Sequence, residues 1–195
     1  MRPFVIMFDL LMLGAGVGFS VQRKHVDKLP LVKAATIVRR DVKDADFIVP
    51  DSREGWLKLL AKTLKSFFFG GGGFAYSCQL LRSKGAAIAS FGGIASGPDV
   101  LESGIADICR VLNARAGQKA RPIDILDVCN IVGNIVVSGN VRRSAQIALG
   151  DADDIEFLRA KRWDLGGIPS WRSNSNNSYV TSSPRAPIFA YVSWA

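Results

Sequence analysis

Residues 135–149 read Ile135-Val-Val-Ser-Gly-Asn-Val-Arg-Arg-Ser-Ala-Gln-Ile-Ala-Leu149. The segment that precedes the Ser138–Ser144 loop is long and apolar, and Ala145–Leu149 is typical of a short buried strand. The loop contains a Gly-Asn pair, which tolerates a left-handed backbone and so allows a sharp turn that presents N–H groups. Two arginines follow, Arg142 and Arg143, and a guanidinium group suits a phosphate or a base edge. The stretch therefore predicts an anion-binding turn, although a helix C-cap followed by solvated arginines explains it equally well.

The composition is that of one folded domain with a basic surface. The chain has 195 residues, of which 48% are hydrophobic, and this is enough for a single domain with a core. Its formal net charge of +8 favours anionic partners in general, such as nucleotides, nucleic acid or acidic lipid. The basic residues are scattered and lack the aromatic interleaving of a single-strand binding groove, so a nucleic-acid partner is open but unsupported.

Two features bear on the cellular compartment. The first 13 residues superficially resemble a signal peptide, but Asp9 interrupts their apolar run, which argues against export and against a membrane span. The three cysteines, Cys78, Cys109 and Cys129, are far apart and form no cluster with metal-ligand spacing. This pattern predicts a reduced, cytoplasmic protein with its thiols in or near the core, and no metal site.

Apolar periodicity predicts an α/β protein. The predicted helices cover residues 3–13, 51–70, 98–114, 121–137 and 151–161, and the predicted strands or short extended segments cover 19–22, 36–38, 47–49, 74–80 and 145–149. Asp51 and Glu54 have the spacing of a capping box, and Ser96 is the predicted N-cap of the helix that follows it. The helix at 121–137 is apolar nearly all round, so we expect it at the centre of the domain.

The loops form an ordered series of motifs. In chain order they are Leu13-Gly-Ala-Gly-Val-Gly-Phe-Ser20, Pro50-Asp-Ser-Arg-Glu-Gly-Trp56, Gly92-Gly-Ile-Ala-Ser-Gly-Pro98, Val137-Ser-Gly-Asn-Val-Arg-Arg-Ser-Ala145 and Ser175-Asn-Asn-Ser178. The first is weak by itself, because it lacks the strand-then-helix order of a dinucleotide fingerprint. Together, from about residue 5 to about residue 180, they resemble the adenosylcobalamin-dependent (class II) ribonucleotide reductases, especially the triphosphate-reducing, largely monomeric branch.

The resemblance implies a fold and a chemistry. Residues 1–180 would form the N-terminal half of a ten-stranded α/β barrel, with a helical and irregular insertion at about 23–73 beside the effector site. The tail, residues 181–195, has no counterpart in the family. In such enzymes adenosylcobalamin generates a thiyl radical that attacks the ribose, and a cysteine pair supplies electrons. A deoxynucleotide effector selects the ribonucleotide substrate, and a thioredoxin-type reductant regenerates the cysteines.

The resemblance also assigns binding residues. The substrate-binding residues would be Gly14, Gly16, Gly18, Ser138, Gly139, Asn140, Arg142 and Arg143. The effector-binding residues would be Arg82, Lys84, Gly92, Gly93 and Ser96. No catalytic residue is assigned, because the family's redox cysteine precedes the first glycine motif and its radical cysteine follows the Ser175 motif. We therefore expect part of a reductase that is inactive and only partly ordered by itself, and that a complementing fragment could complete.

Two other functions stay open. A remnant that keeps the effector loops would bind nucleotides without catalysis, and its melting temperature would rise with a deoxynucleoside triphosphate. A basic nucleic-acid-binding protein would instead bind DNA with a steep dependence on salt.

Overall fold

The structure is a computed structural model that describes residues 1–70, 72–87, 94–138 and 144–180. Within these ranges the helices are α1 (Arg2–Met12), α2 (Arg23–Val26), α3 (Arg53–Lys65), α4 (Asp99–Asn113), α5 (Pro122–Val137) and α6 (Ile155–Leu158). The strands are β1 (Gly16–Ser20), β2 (Ile37–Arg39), β3 (Phe47–Ile48), β4 (Phe74–Ser77), β5 (Ala145–Asp151) and β6 (Ser175–Val180). Short 3₁₀ turns cover Val42–Asp44, Trp163–Leu165 and Ser170–Asn174, and a π-helical turn, Ser66–Gly70, extends α3.

The strands form two parallel three-stranded sheets. One has the order β1-β5-β6 and the other has the order β2-β4-β3. In the first sheet Gly16 lies opposite Ala145, and Gln146 lies opposite Ser175. Parallel neighbours require crossover connections, which the helices between the strands provide. The predicted α/β class is therefore confirmed as a mixed α/β fold with parallel sheets.

Helix α5 lies at the centre of the domain, as its all-round apolar sequence predicts. Of its 16 residues 13 are buried, and the helix packs against α1, α4 and the β1-β5-β6 sheet. Fully buried side chains from the neighbouring helices, including Phe8, Leu11 and Ile108, belong to the same core. Burying this much apolar surface is the main stabilising contribution that the fold offers.

The first strand begins earlier than its sequence predicts. The glycine motif is not all turn, because Gly16 and Gly18 belong to β1 and only residues 13–15 connect α1 to it. Pairing with β5 supplies the backbone hydrogen bonds that compensate for the poor strand propensity of glycine. The prediction of a strand at 19–22 was therefore wrong at its start, and it was also wrong at its end, because β1 ends at Ser20.

Both predicted helix caps were wrong. Ser52, not Asp51, caps α3, and its Oγ accepts a hydrogen bond from the backbone N–H of Gly55 at 3.1 Å. The Asp51 carboxylate pairs instead with Arg82, far along the chain. Pro98 rather than Ser96 occupies the N-cap of α4, without a side-chain cap.

The last helix is shorter than the pattern at 151–161 indicates. Strand β5 continues to Asp151, and Asp154 then caps α6 by accepting a hydrogen bond from Phe157 N at 3.1 Å. Strand β6 has no predicted counterpart, since Ser and Asn in Ser175–Ser178 carry little strand signal.

The thiols lie where the sequence predicts them. Cys78 and Cys129 are buried, Cys109 is half-buried, and all three are free. In the described ranges, no helix combines the length and the apolar character that crossing a bilayer requires.

Candidate functional site

Helices α4 and α5 bring two candidate loops to one end of the molecule. A turn of residues 114–121 joins the two helices, which pack against each other. Gly104, near the start of α4, lies against Ile135, near the end of α5, so closely that a Cβ on Gly104 would be 2.3 Å from Cγ1 of Ile135. The chain that enters α4 from Ser96 and the chain that leaves α5 at Ser138 therefore emerge at the same end.

The first glycine motif lies beside the end of the Ser138–Ser144 loop. Gly16 pairs with Ala145, the residue that follows the Ser138–Ser144 loop. Gly14 has a φ of +81°, a conformation that glycine adopts without strain. A Cβ on Gly14 or Gly16 would have no described atom within 4 Å, so the backbone here borders open space. The turn and the loop end lie side by side at the amino ends of β1 and β5.

Of the other assigned substrate residues, the structure describes Gly18 and Ser138. Gly18 lies within β1 opposite Ile147, where an added Cβ would approach Cγ2 of Ile147 to 3.3 Å. Ser138 is exposed and forms the C-cap of α5, with its backbone N–H donating to Asn134 O at 3.0 Å. The remaining assigned residues, Gly139, Asn140, Arg142 and Arg143, lie outside the described residues. The anion-binding turn and the solvated cap therefore both stay predictions for this loop.

A narrow neck closes the loop that precedes α4. Two backbone hydrogen bonds cross it, from Gly85 N to Ala95 O at 2.9 Å and from Ala95 N to Ala86 O at 2.8 Å. The backbones also approach closely at Gly97, where an added Cβ would lie 3.0 Å from Lys84 N. Lys84 is exposed and Ser96 is half-buried, on opposite strands of this neck. Gly92 and Gly93, the other assigned effector residues of this loop, lie outside the described residues.

Arg82 is engaged by the protein itself. Its Nε lies 2.9 Å and 3.1 Å from the two carboxylate oxygens of Asp51, and its Nη1 donates to Ala87 O at 3.3 Å. Both side chains are a little over one-third exposed, so this is a surface ion pair. The contacts tie the start of the loop to the region just before α3, and a role for Arg82 as an effector ligand is still a prediction.

The three cysteine thiols have raised pKa values and are therefore unreactive at neutral pH. Burial, with a contribution from the Glu102 carboxylate, raises the pKa of Cys78 to about 12. Burial raises the pKa of Cys109 to about 12 and raises that of Cys129 as well. The thiols therefore stay protonated at neutral pH, and protonated thiols are poor nucleophiles. Among the described residues no group of three or more His, Cys, Asp or Glu side chains could hold a metal ion.

At the other end of this sheet, at the carboxyl ends of β1 and β5, polar groups of the protein form hydrogen bonds with one another. Parallel sheets usually bind ligands at the carboxyl ends of their strands. There, Asp151 accepts hydrogen bonds from Gln22 Nε2 at 3.1 Å and from Arg23 N at 2.8 Å. The exposed His25 contributes a 2.7 Å contact from its Nδ1 to Ser20 Oγ. Since these groups satisfy one another, the loops at the amino edge are the better candidate site.

One polar network, which holds the chain just before the Ser175–Ser178 motif, was not predicted from the sequence. Asp127, buried in α5, accepts hydrogen bonds from Trp171 Nε1 at 2.9 Å and from Arg172 at 2.6 Å and 2.7 Å. These bonds fix the Ser170–Asn174 turn, from which the chain enters β6 with its Ser175–Ser178 motif. The available signal was a carboxylate on a helix whose apolar residues lie nearly all round, because a buried charge requires a partner.

Comparison with known proteins places the chain in a family. A family model described as B12-dependent ribonucleotide reductase, insertion domain, matches residues 20–112. The adenosylcobalamin-dependent ribonucleoside-triphosphate reductase of Lactobacillus delbrueckii subsp. bulgaricus is 37% identical over 211 aligned positions, which cover 93% of this chain and 28% of that protein. The reductase of the same name from Lacticaseibacillus paracasei is 37% identical over 214 aligned positions, with the same two shares.

The fold matches as well. A crystal structure of a B12-dependent (class II) ribonucleotide reductase superposes with a TM-score of 0.76 at 31% identity, over 92% of this chain and 29% of that one. The chain thus spans about 28% of the length of the curated relatives it matches. On the agreement of sequence, insertion region and fold, the chain belongs to the B12-dependent (class II) ribonucleotide reductases.

Proposed function

We propose that the chain supplies nucleotide-binding loops to an adenosylcobalamin-dependent ribonucleoside-triphosphate reductase, an enzyme that converts ribonucleotides to deoxyribonucleotides. The observation that carries the proposal is that three segments lie towards the same end of the molecule. These segments are the turn at Gly14, the two ends of the Ser138–Ser144 loop, and the neck at Ser96. The net charge of +8 favours an anionic ligand in general. The relatives named above carry this activity in their names.

The proposal gives the loops different ligands. The substrate would bind at the glycine turn and at the loop that follows α5, where backbone N–H groups and two guanidinium groups recognise phosphate or base. Its residues are Gly14, Gly16, Gly18, Ser138, Gly139, Asn140, Arg142 and Arg143. A deoxynucleotide effector would bind at the loop before α4, through Arg82, Lys84, Gly92, Gly93 and Ser96.

The proposal also extends the fold. The β1-β5-β6 sheet has one covered face and one face on which Gly18, Ile147 and Asn176 are exposed. Closing a larger barrel would cover that second face. We therefore propose that residues 1–180 form part of a ten-stranded α/β barrel, with an insertion at about 23–73, and that residues 181–195 have no counterpart in the family.

Adenosylcobalamin would act in the whole protein, and no described residue is assigned to its binding. The three thiols of the described ranges are protonated, so they do not supply the thiyl-radical or redox cysteines. By itself the chain is proposed to bind nucleotides without reducing them, as a non-catalytic remnant would, and the buried thiols favour that alternative. A thioredoxin-type reductant would act on the whole enzyme, and free thiols suit the reducing cytoplasm.

The proposal is tested by heating the 195-residue chain with each deoxynucleoside triphosphate and ribonucleoside triphosphate. A ligand at 100 times its dissociation constant adds about 2.7 kcal/mol of stability. For a chain of this size that corresponds to a rise in melting temperature of about 5–10 °C.

The double variant Arg142→Ala with Arg143→Ala should lose most of this rise. The control is Lys24→Ala with Lys28→Ala, which removes the same charge from exposed positions in and just after α2. A chain that ignores nucleotides but binds duplex DNA with steep salt dependence would be a nucleic-acid-binding protein instead.

A further inference from the structure

Lys161 is a half-buried cation that has no carboxylate partner in the part of the chain that the structure describes. It lies in the turn that follows α6, and its Nζ donates a hydrogen bond to Ser175 O at the start of β6. An ammonium group has three N–H donors, so two remain for other acceptors. A charge that is partly removed from water is costly unless an opposite charge pairs with it. The position therefore favours a bound anion.

The carboxylates of the neighbouring segments are engaged by other cations. Asp127 accepts hydrogen bonds from Arg172 at 2.6 Å and 2.7 Å. Asp164 accepts hydrogen bonds from Arg162 at 2.7 Å and 2.6 Å. Such two-bond pairs are among the strong ones, so neither carboxylate is expected to turn to Lys161. Burial lowers the pKa of Lys161, as expected for an ammonium group that loses water without gaining an opposite charge.

The Lys161 ammonium group lies at the amino edge of the β1-β5-β6 sheet, the end at which these strands begin. Its acceptor, Ser175, lies opposite Gln146 of β5, and Gln146 lies opposite Val17 of β1. Neighbouring strands are about 4.8 Å apart, so Ser175 is about 10 Å from β1 across the sheet. The turn at Gly14, which borders open space, precedes β1 at this same edge. Lys161 is therefore on the side of the molecule where nucleotides are proposed to bind.

We propose that Lys161 binds a phosphate group of the nucleotide at this edge. A lysine ammonium group is a compact charge that suits phosphate oxygens. Its hydrogen bond to Ser175 O holds Nζ in place before the nucleotide arrives, which lowers the entropy cost of binding. This inference rests on the proposed function and deepens it, because it assigns a phosphate-binding side chain outside the loops. Lys161 then recognises the phosphates and not the base or the sugar.

The test is calorimetric titration of the 195-residue chain with ribonucleoside triphosphates, the matching nucleosides and inorganic triphosphate. Lys161→Met removes the charge and keeps an unbranched side chain. It should weaken the binding of nucleoside triphosphates and of inorganic triphosphate about tenfold, the effect of losing one hydrogen bond to a charged group. Nucleoside affinity should stay unchanged. Lys161→Arg keeps the charge and should retain most of the triphosphate affinity.

The matched control is Lys119→Met. The Nζ of Lys119 also donates to a backbone carbonyl, that of Asp27 at 2.9 Å, but Lys119 lies in the turn that joins α4 and α5, at the other end of these helices. This variant should leave all affinities unchanged. If Lys161→Met does not fold, Lys161→Gln takes its place, because it keeps a donor for Ser175 O, and it should show the same loss.

The outcomes separate this inference from the proposed function. A wild-type chain that binds nucleotides while Lys161→Met binds them equally well refutes the role of Lys161 and leaves the proposed function intact. An equal loss of nucleoside affinity also refutes that role, because a defect at the start of β6 would cause it. Binding of inorganic triphosphate that depends on Lys161, without any nucleotide binding, supports the phosphate site and refutes the proposed function. A wild-type chain that binds none of the three ligands refutes both.

Discussion

The contact between α4 and α5 can be tested by adding one methyl group to Gly104. A Cβ there would lie 2.3 Å from Cγ1 and 2.4 Å from Cδ1 of Ile135, well inside van der Waals contact. Ile135 is 2% exposed and cannot swing into solvent. Overpacking of a core costs about 1–3 kcal/mol, and contacts this short place the cost at the upper end. Alanine recovers about 1 kcal/mol of helix propensity, so Gly104→Ala should lower the free energy of unfolding by about 1–2 kcal/mol.

The sign should reverse when the opposing side chain is removed. Ile135→Ala deletes both of the atoms that the new methyl group would strike, and by itself it should cost about 2–5 kcal/mol. In that background Gly104→Ala partly fills the cavity and gains helix propensity. It should then stabilise the protein by about 1 kcal/mol.

Urea denaturation followed by far-ultraviolet circular dichroism measures both effects. Ser103→Ala, at an exposed position of the same helix, is the control for propensity alone. If Gly104→Ala has the same effect in both backgrounds, the helices do not meet at this contact. The inference that the two loops emerge at one end of the molecule would then fail with it.

Three further predictions concern single residues. Asp127→Ala should cost about 3 kcal/mol, because it leaves the largely shielded Arg172 guanidinium without its carboxylate partner; a loss below about 1 kcal/mol in denaturant would contradict a shielded pair. Ser52→Ala should cost about 1 kcal/mol through loss of the helix cap, measured in the same way, and an unchanged stability would show that the cap is dispensable. The Cys78 and Cys109 thiols should resist alkylation at pH 8 in the native state and react readily in urea. Burial raises their pKa from 9.0 to about 12, so the free energy of unfolding should fall as pH rises through that window, where only the unfolded thiols ionise. Rapid native-state labelling would show that these thiols are accessible.

Helix α5 and the order of the loops could be predicted because their signals are local. A helix that is apolar on every side has to be buried, whatever surrounds it, and 13 of its 16 residues are buried. The burial of the thiols was predicted from their scattered positions, which show no metal-ligand spacing. The loop motifs are read from consecutive residues, and they led to the family to which the chain belongs.

Strand ends and helix caps could not be predicted, because distant residues determine them. Gly16 and Gly18 are strand residues only because β5 pairs with them, more than 120 positions later in the chain. Asp51 has the right spacing to cap α3, but Arg82 competes for its carboxylate and Ser52 takes over the cap. The partners of Asp127, Trp171 and Arg172, likewise come from another segment.

By itself, the sequence determined the apolar central helix, the basic charge, the three scattered thiols and the ordered loop motifs. Each of these is a property of residues close together in the chain or of the composition. Only the tertiary structure decided which loops share one end of the molecule and which charges hold them there. Those relations depend on helix packing at Gly104 and on ion pairs such as Asp51 with Arg82, whose partners lie about 30 residues apart. Pairings over such distances are selected by the free energy of the whole fold, which no local pattern contains.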